Sequence, residues 1–312
     1  MLKGKPKIKN NPIISFYQQG TYFTKEKIYA FGDIHGDLSA FLNVLKMANL
    51  INNQLNWCGG KSHVVQVGDI LDRKIRTDEQ SDEDSEFIIV NLIIKLKVQA
   101  FVSGGAFHTT IGNHELMNIM GIFDYVSPLG FKQFHNNPNL RKEYFKIGGP
   151  FCKNLSYFWN PIIKINNYLF CHGGITSTIA NKYPINIINN IMRDTLAGNA
   201  IHFKQSYFSE LFLDNSSSIL WNRTFSIENY KSSYYNMYLE NELDKIFKKY
   251  NVSCLIIGHT PQEGGISYKF NNKVICIDTA MSEAFGKKKN KLERIQHIVI
   301  HPVQNKVFII GK

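Results

Sequence analysis

Five short motifs in this chain set acids, amides and imidazoles beside glycine: GDIHG at 32–36, GDILDR at 68–73, GNHE at 112–115, HGG at 172–174 and GHTP at 258–261. Together they supply Asp33, His35, Asp69, Asn113, His172 and His259, a set of oxygen and nitrogen donors of intermediate softness. Such donors suit Mn, Fe or Zn ions better than Ca or an iron–sulfur cluster. Six of them suffice for two ions that share one carboxylate. Glycine beside each donor lets the backbone turn tightly and come close to the site. Taken singly, each motif is weak, since Asp–Gly is commonly a turn and a lone strand-end histidine is commonly structural. Five in one chain form a constellation that fits a pair of metal ions. Two cations about 3.5–4 Å apart can hold a phosphate and acidify a water enough to give a nucleophile at neutral pH.

Those residues need elements that bring them together. The runs KIYAFGD, HVVQVGD, AFHTTIGN, NYLFCHGG, SCLIIGHT and KVICID are short, apolar and bounded by turn residues, which predicts buried strands. LSAFLNVLKMANL (38–50) and SEFIIVNLIIKLKVQAF (85–101) predict helices. Strand, polar turn, helix, strand is the pattern of an α/β domain, whose ligands gather at the carboxyl ends of the strands. Polar residues scattered along the sequence therefore converge in space. No Gly/Ser linker or internal repeat divides the chain, so residues 28–312 are expected to form one domain after a basic N-terminal extension, 1–27. Residues 121–160 and 176–250 carry aromatics, Asn and Pro without clear periodicity, and cap-like insertions over the site are expected there. TDEQSDEDSE, at 77–86, reads as an acidic surface stretch at a helix N-terminus.

With 312 residues, 44% hydrophobic and 20% charged, the composition is that of a globular protein with a sizeable core. A formal charge of +11 raises the question of acidic partners, yet such charge governs association and solubility more than fold. The lysine clusters at Lys3, Lys5, Lys7 and Lys9, and at Lys287, Lys288, Lys289 and Lys291, lie near the termini, where solvated tails are common. No recognised nucleic-acid motif accompanies them. The five cysteines are odd in number and unpaired in spacing, and four lie beside strand-like apolar residues, which predicts free thiols in a reducing compartment. The first twenty residues have no apolar h-region and no stretch reaches a membrane span, so a soluble, cytoplasmic protein is expected.

In order and spacing, GDxHG, GDxxDR, GNHE, HGG and a later GH resemble the calcineurin-like metallophosphoesterases, in particular the phosphoprotein phosphatase superfamily. SGGAFHTTIGNHELMNIMGIFDYV (103–126), ILWNRTFS (219–226) and GHTPQEGGISY (258–268) are similar to the Shewanella-like protein phosphatases, and the similarity covers roughly residues 28–282. The resemblance implies an α/β/β/α sandwich with two central β-sheets, two divalent or trivalent metal ions, and in-line attack on a phosphate ester by a hydroxide bridging them. Asp33 and His35 would hold the first ion and Asp69 would bridge both. Asn113, His172 and His259 would hold the second, with Asn113 also close to substrate. His114 would be the general acid, oriented by Asp72, while Arg73 and Arg223 would clamp the phosphoryl oxygens. Glu115 would support the ligands from behind. Two places depart from the family pattern. Its glycine after Asp–Arg is Lys74 here, followed by Ile75 and Arg76, which can alter the loop carrying Arg73 or add positive charge near the phosphate. The late ICIDTAMS has Cys276 and Ala280 where the family tends to show arginine and glycine.

The function this implies is a metal-dependent phosphomonoesterase acting on phosphorylated proteins or peptides, at Ser/Thr or at Tyr. The same superfamily also contains symmetrical dinucleoside tetraphosphatases and broad-specificity phosphatases. A basic scaffold or nucleic-acid-binding protein with a structural metal site is the reading from another class.

Overall fold

In the computed structural model of the protein, which describes residues 11–77, 82–227, 233–286 and 291–311, the apolar runs become the strands of two facing sheets. The first sheet holds β1 (Thr21–Tyr22), β6 (Ile162–Ile165), β7 (Tyr168–Cys171), β8 (Cys254–Ile257), β9 (Ser267–Lys269) and β10 (Val274–Cys276), in the order β1-β6-β7-β8-β10-β9. The second holds β2 (Ile28–Phe31), β3 (His63–Gln66), β4 (Ala106–Thr110), β5 (Trp159–Asn160), β11 (His297–His301) and β12 (Lys306–Ile310), in the order β12-β11-β2-β3-β4-β5. The four strands from β2 to β5 run parallel, and the antiparallel pair β11–β12 closes the β2 side. All six strands expected from the sequence are present.

Alternation along the strands builds the layers. Ile28, Ala30, Val65 and Val67 meet Ile163, Phe170, Ile256 and Ile275 between the sheets. Their neighbours Phe31, Val64 and Phe107 point outward and join a second apolar cluster with the helices. A residue period of two thus gives each sheet a face for its partner and a face for helices. The result is the expected α/β/β/α sandwich. The helices are α1 (Pro12–Tyr17), α2 (Leu38–Met47), α3 (Glu86–Val102), α4 (Asn113–Met120), α5 (Pro128–Lys132) and α6 (Pro138–Phe145), then α7 (Pro150–Phe158), α8 (Ser177–Lys182), α9 (Ile185–Leu196), α10 (Ser206–Phe208), α11 (Ser233–Tyr250) and α12 (Lys291–Arg294). The second aspartate of GDIHGD starts α2: Asp37 accepts a hydrogen bond from Ala40 N at 2.8 Å, a cap whose removal typically costs about 1 kcal/mol. The helix then buries Phe41, Val44 and Leu45.

Four stretches differ from the sequence expectation. Residues 12–22, assigned above to a basic extension, are part of the packed fold. Tyr17 is buried, donates to Lys97 O at 2.9 Å and accepts from Phe107 N at 3.1 Å, while β1 pairs in parallel with β6. Aromatic burial, rather than lysine, decides the fate of this segment; Lys3, Lys5, Lys7 and Lys9 lie outside the described residues. Residues 121–160 contain three short helices whose Arg141, Phe145 and Phe151 are buried, and within 176–250 α9 buries Ile185, Ile188, Met192 and Leu196. Both regions are layers of the domain, and they reach the site's mouth through Tyr125 and Arg223. In the acidic stretch, Asp78, Glu79 and Gln80 with Ser81 lie outside the described residues, but Glu86 is buried against Arg141 at 3.0 Å. Its carboxylate is an internal partner, not a solvated charge.

All five cysteines are free, with Cys58 exposed and the other four buried. Among the described residues no helix is long and apolar enough to cross a membrane.

Candidate active site

The loops that follow β2, β3, β4, β7 and β8 bring the five motifs to one edge of the sandwich. His35, Asp69, Asp72 and His259 all adopt left-handed backbone, with φ of 42°, 54°, 74° and 66°. Non-glycine residues rarely do so, and such conformations cluster where a surrounding structure holds them for function. Glycines permit the approach: a methyl group on Gly112 would overlap the Asp69 carboxylate, and one on Gly258 would overlap that of Asp33.

Asp69 sits at the centre. Its Oδ2 lies 3.2 Å from His172 Nε2, 3.7 Å from His35 Nε2 and 3.9 Å from His114 Nε2, while its Oδ1 accepts the His114 backbone N–H at 3.0 Å. Two donor groups share it, one with His35 and His114, the other with His172 and His259. Asp33 Oδ2 is 3.9 Å from His35 Nε2, and Asn113 Oδ1 is 2.9 Å from His172 Nε2. The far ring nitrogens are anchored: His35 Nδ1 on Leu71 O at 3.1 Å, His172 Nδ1 on Val67 O at 2.7 Å and His259 Nε2 on Trp221 O at 3.2 Å. Such contacts select the tautomer and aim the other nitrogen inward. All six sequence-predicted donors are therefore brought together, with the shared carboxylate between them.

The electrostatics fit a pair of cations. Burial pushes Asp33 well above the usual carboxylate range, with Asp278 and Asp69 adding to it. Burial acts the same way on Asp69, but His172, His114 and His35 around it outweigh this and hold it well below. Burial drives His259 down to about 2 and Asp278 up to about 6. Asp278 Oδ2 is buried without a hydrogen-bond partner. Clustered carboxylates and imidazoles with an orphaned oxygen lack the positive charge that two ions would supply, and the O/N donor set suits Mn, Fe or Zn.

Behind the donors, Glu115 accepts hydrogen bonds from the backbone N–H groups of Asp69, Ile70, Leu71 and Gly112 at 2.8–3.1 Å. It ties the GDILDR loop to the GNHE helix, the supporting place expected for it. His114 Nδ1 is 2.7 Å from Asp72 Oδ2. Asp72 Oδ1 in turn accepts from Asn118 Nδ2 at 2.8 Å, and Asn118 Oδ1 accepts from Arg141 Nε at 2.9 Å. Burial works against a charged His114, but Asp69 and then Asp72 outweigh it and raise its affinity for a proton. Asn118 and Arg141 were not singled out in the sequence. The signal for Asn118 was its place one turn after His114, on the same face of α4.

The two expected phosphate clamps part company. Arg223 stands exposed at the mouth, its Nη1 donating to His259 O at 2.9 Å and to Thr260 Oγ1 at 3.0 Å. Arg73 does not face the site. It is fully buried, with Nη1 on Asp37 Oδ2 at 2.9 Å and Ser282 Oγ at 2.7 Å, and Nη2 3.7 Å from Glu83 and 3.6 Å from Glu283. Three carboxylates from distant segments capture its charge inside the protein, which corrects the assignment of Arg73 to substrate. Of the other departures, Cys276 is buried in β10, and Ala280 has φ 50°, a conformation that favours glycine.

The family model for calcineurin-like phosphoesterases matches residues 26–263. The chain belongs to that family. It is a hydrolase by membership, and the family's dinuclear chemistry agrees with the two donor groups around Asp69. Among relatives, it is 34% identical over 259 residues to Shewanella-like protein phosphatase 1 of Plasmodium berghei, covering 82% of this chain and 67% of the relative. It is 30% identical over 305 residues to Shewanella-like protein phosphatase 2 of Arabidopsis thaliana, covering 84% and 73%. Among solved structures, the cold-active protein-tyrosine phosphatase of a psychrophilic Shewanella species superposes with a TM-score of 0.70 at 25% identity, over 100% of this chain and 88% of that one. The calcineurin-like assignment thus rests on sequence and fold together, with the Shewanella-like branch the one resembled.

Proposed function

We propose that this calcineurin-like enzyme is a protein phosphatase that removes phosphate from phosphorylated side chains, using two Mn, Fe or Zn ions held by Asp33, His35, Asp69, Asn113, His172 and His259. When bound, the ions hold the phosphoryl group and acidify a water. The chain's own residues do the rest. Water supplies the hydroxyl that joins phosphorus, and the bond to the leaving oxygen breaks. His114 Nε2 delivers a proton to that oxygen, so the alcohol or phenol departs neutral. Asp72 keeps the ring charged and aimed through its 2.7 Å contact with Nδ1. That contact is the observation that carries the reading, because a buried imidazole gripped by a carboxylate at the edge of a cation site is built as a general acid. Arg223 is placed to meet phosphoryl oxygens from the mouth.

A preference for phosphotyrosine over phosphoserine is supported by the rim. Tyr125 is 40% exposed, and its ring lies 5.0 Å from that of His114. Phe285 lies 5.3 Å from His35. Aromatic walls beside the acid complement an aryl leaving group more than a serine chain. The Shewanella neighbour named as a protein-tyrosine phosphatase favours the same preference, and the relatives named as protein phosphatases favour phosphorylated proteins as the substrate class. Metal analysis of the purified protein, with turnover of phosphotyrosine, phosphoserine and dinucleoside polyphosphate substrates, tests the reading. Faster cleavage of a dinucleoside polyphosphate than of either phosphopeptide would overturn it.

A further inference from the structure

The internal capture of Arg73 leaves the GDILDR loop without the phosphate-facing guanidinium expected of it, and Arg76, three residues on, lies beside His35. We infer that Arg76 grips the phosphoryl oxygens of the substrate, an assignment that rests on the phosphomonoesterase reading above. Its Nη2 lies 3.4 Å from His35 Nδ1 and its Nη1 3.4 Å from Lys74 O. The guanidinium stacks between two rings, 4.5 Å from the centre of Phe285 and 5.2 Å from that of Tyr125. Those rings pack on His35 and His114, so the stacked arginine lies over the imidazoles that flank Asp69. Stacking holds the plane of a guanidinium while leaving its edge N–H groups free to meet an oxyanion.

The backbone fixes this position. Lys74 N donates to Tyr125 O at 3.0 Å and Arg76 N to Ala284 O at 2.8 Å, while Lys74 Nζ reaches Asp124 O at 2.8 Å. The loop is thereby pinned to the two segments that supply the rings, and the lysine that replaces the family's glycine supplies one of the pins. Arg76 is partly exposed whereas Arg73 is sealed in. Among the ion pairs of the described residues Arg73 has three acidic partners and Arg76 has none. One arginine therefore has its charge spent on the fold, and the other keeps its charge available for an anion.

The test uses the full-length, metal-loaded protein and inorganic phosphate, followed both as an inhibitor and by calorimetry. Arg76→Ala should weaken phosphate binding about 10- to 100-fold, the scale of a charge-assisted hydrogen bond, with metal content unchanged. Arg76→Lys, which keeps the charge but loses the fork, should fall between. Arg73→Lys should bind phosphate within about twofold of the parent while melting at a lower temperature. If Arg76→Ala fails to fold, Arg76→Lys and Phe285→Leu, which loosens the stack, carry the test. Unchanged phosphate affinity in the Arg76 variants would overturn the assignment. So would a loss in folded, metal-replete Arg73→Lys as large as that in Arg76→Ala. Calorimetry needs no turnover: a parent that cleaves no phosphomonoester, yet loses phosphate affinity on Arg76→Ala, would refute the proposed function and leave Arg76 standing.

Discussion

Two buried groups of histidines can be compared within this one sandwich. His63, at the N-terminal end of β3, and His108, at the centre of β4, lie between the sheets, with His63 Nδ1 and His108 Nε2 3.1 Å apart. Tyr22 packs 4.2 Å from His108 and Tyr17 5.6 Å from it, and among the described residues no carboxylate joins them in an ion pair. At the site His35, His114, His172 and His259 surround Asp69. All six are at most 7% exposed. Burial opposes a charged imidazole in every case. In the first group it acts alone or nearly so, holding His63 down to about 4 and His108 well below the ordinary histidine value. In the second, Asp69 reverses the outcome at His114 and His172, which bind protons more tightly than usual, while His35 and His259 stay low. Burial by itself makes neutral, structural histidines. A buried carboxylate among them makes a place for positive charge.

The largest effect should come from removing the residue that separates the two groups. Asp69→Asn is expected to lose most of the bound metal and nearly all turnover, because a neutral amide poorly replaces a shared anionic ligand. Metal analysis beside rate measurement checks this, and full occupancy with normal rates would erase the distinction. Next in size is His114→Asn, which should slow an alkyl phosphate about 10²–10⁴-fold and a nitrophenyl ester much less, with metal retained. Loss of metal in this variant would instead make His114 a ligand, as its 3.9 Å distance from Asp69 would allow.

A smaller loss is expected from Glu115→Gln, which keeps the shape but weakens four backbone contacts that aim the ligand loops. Metal affinity should fall about 10–100-fold, and excess metal should restore turnover. If excess metal brings none back, Glu115 acts on more than ligand orientation. The smallest effect at neutral pH belongs to the other group. The folded value of His63, about 4, lies below the unfolded value of about 6.5, so its contribution is present above pH 6.5 and is lost as pH falls toward 4. That contribution is on the order of 3 kcal/mol. His63→Asn should therefore flatten the acid limb of the melting-temperature profile without changing the rate at pH 7. Metal loss in acid is common to both proteins and cancels in the comparison. An unchanged acid limb would mean that His63 finds a partner for its proton in the folded state.

The site was legible where chemistry and secondary structure coincide. Strand-end motifs placed Asp33, His35, Asp69, Asn113, His172 and His259 correctly at one edge, because a parallel sheet gathers its carboxyl ends whatever lies between. Arg73 was misread because its partners Asp37, Glu83 and Glu283 lie in separate segments, and no local pattern announces that they meet. The clue to Arg76 was Lys74 in the place of glycine, which marked an altered loop without showing where the next cation would go. α9 was hidden because asparagines interleave its apolar face. The segment at 12–22 was read by its neighbouring lysines when Tyr17 and Tyr22 decide its packing.

The strand order also has a consequence for how the protein is made. Asp33, His35, Asp69, Asn113 and His114 all lie before residue 115, on loops after β2, β3 and β4. Their sheet is completed only when β11 takes its place against β2 and β12 against β11, from residues 297–310. The facing sheet joins Thr21 to Lys164 and waits for β8 and β10. On a ribosome, a chain that has emerged as far as residue 120 carries Asp69 and His114 but neither His172 nor His259. Pairings this far apart in sequence form late and slowly. The donor group that Asp69 shares with His172 and His259 is therefore complete only after nearly the whole polypeptide has been synthesised.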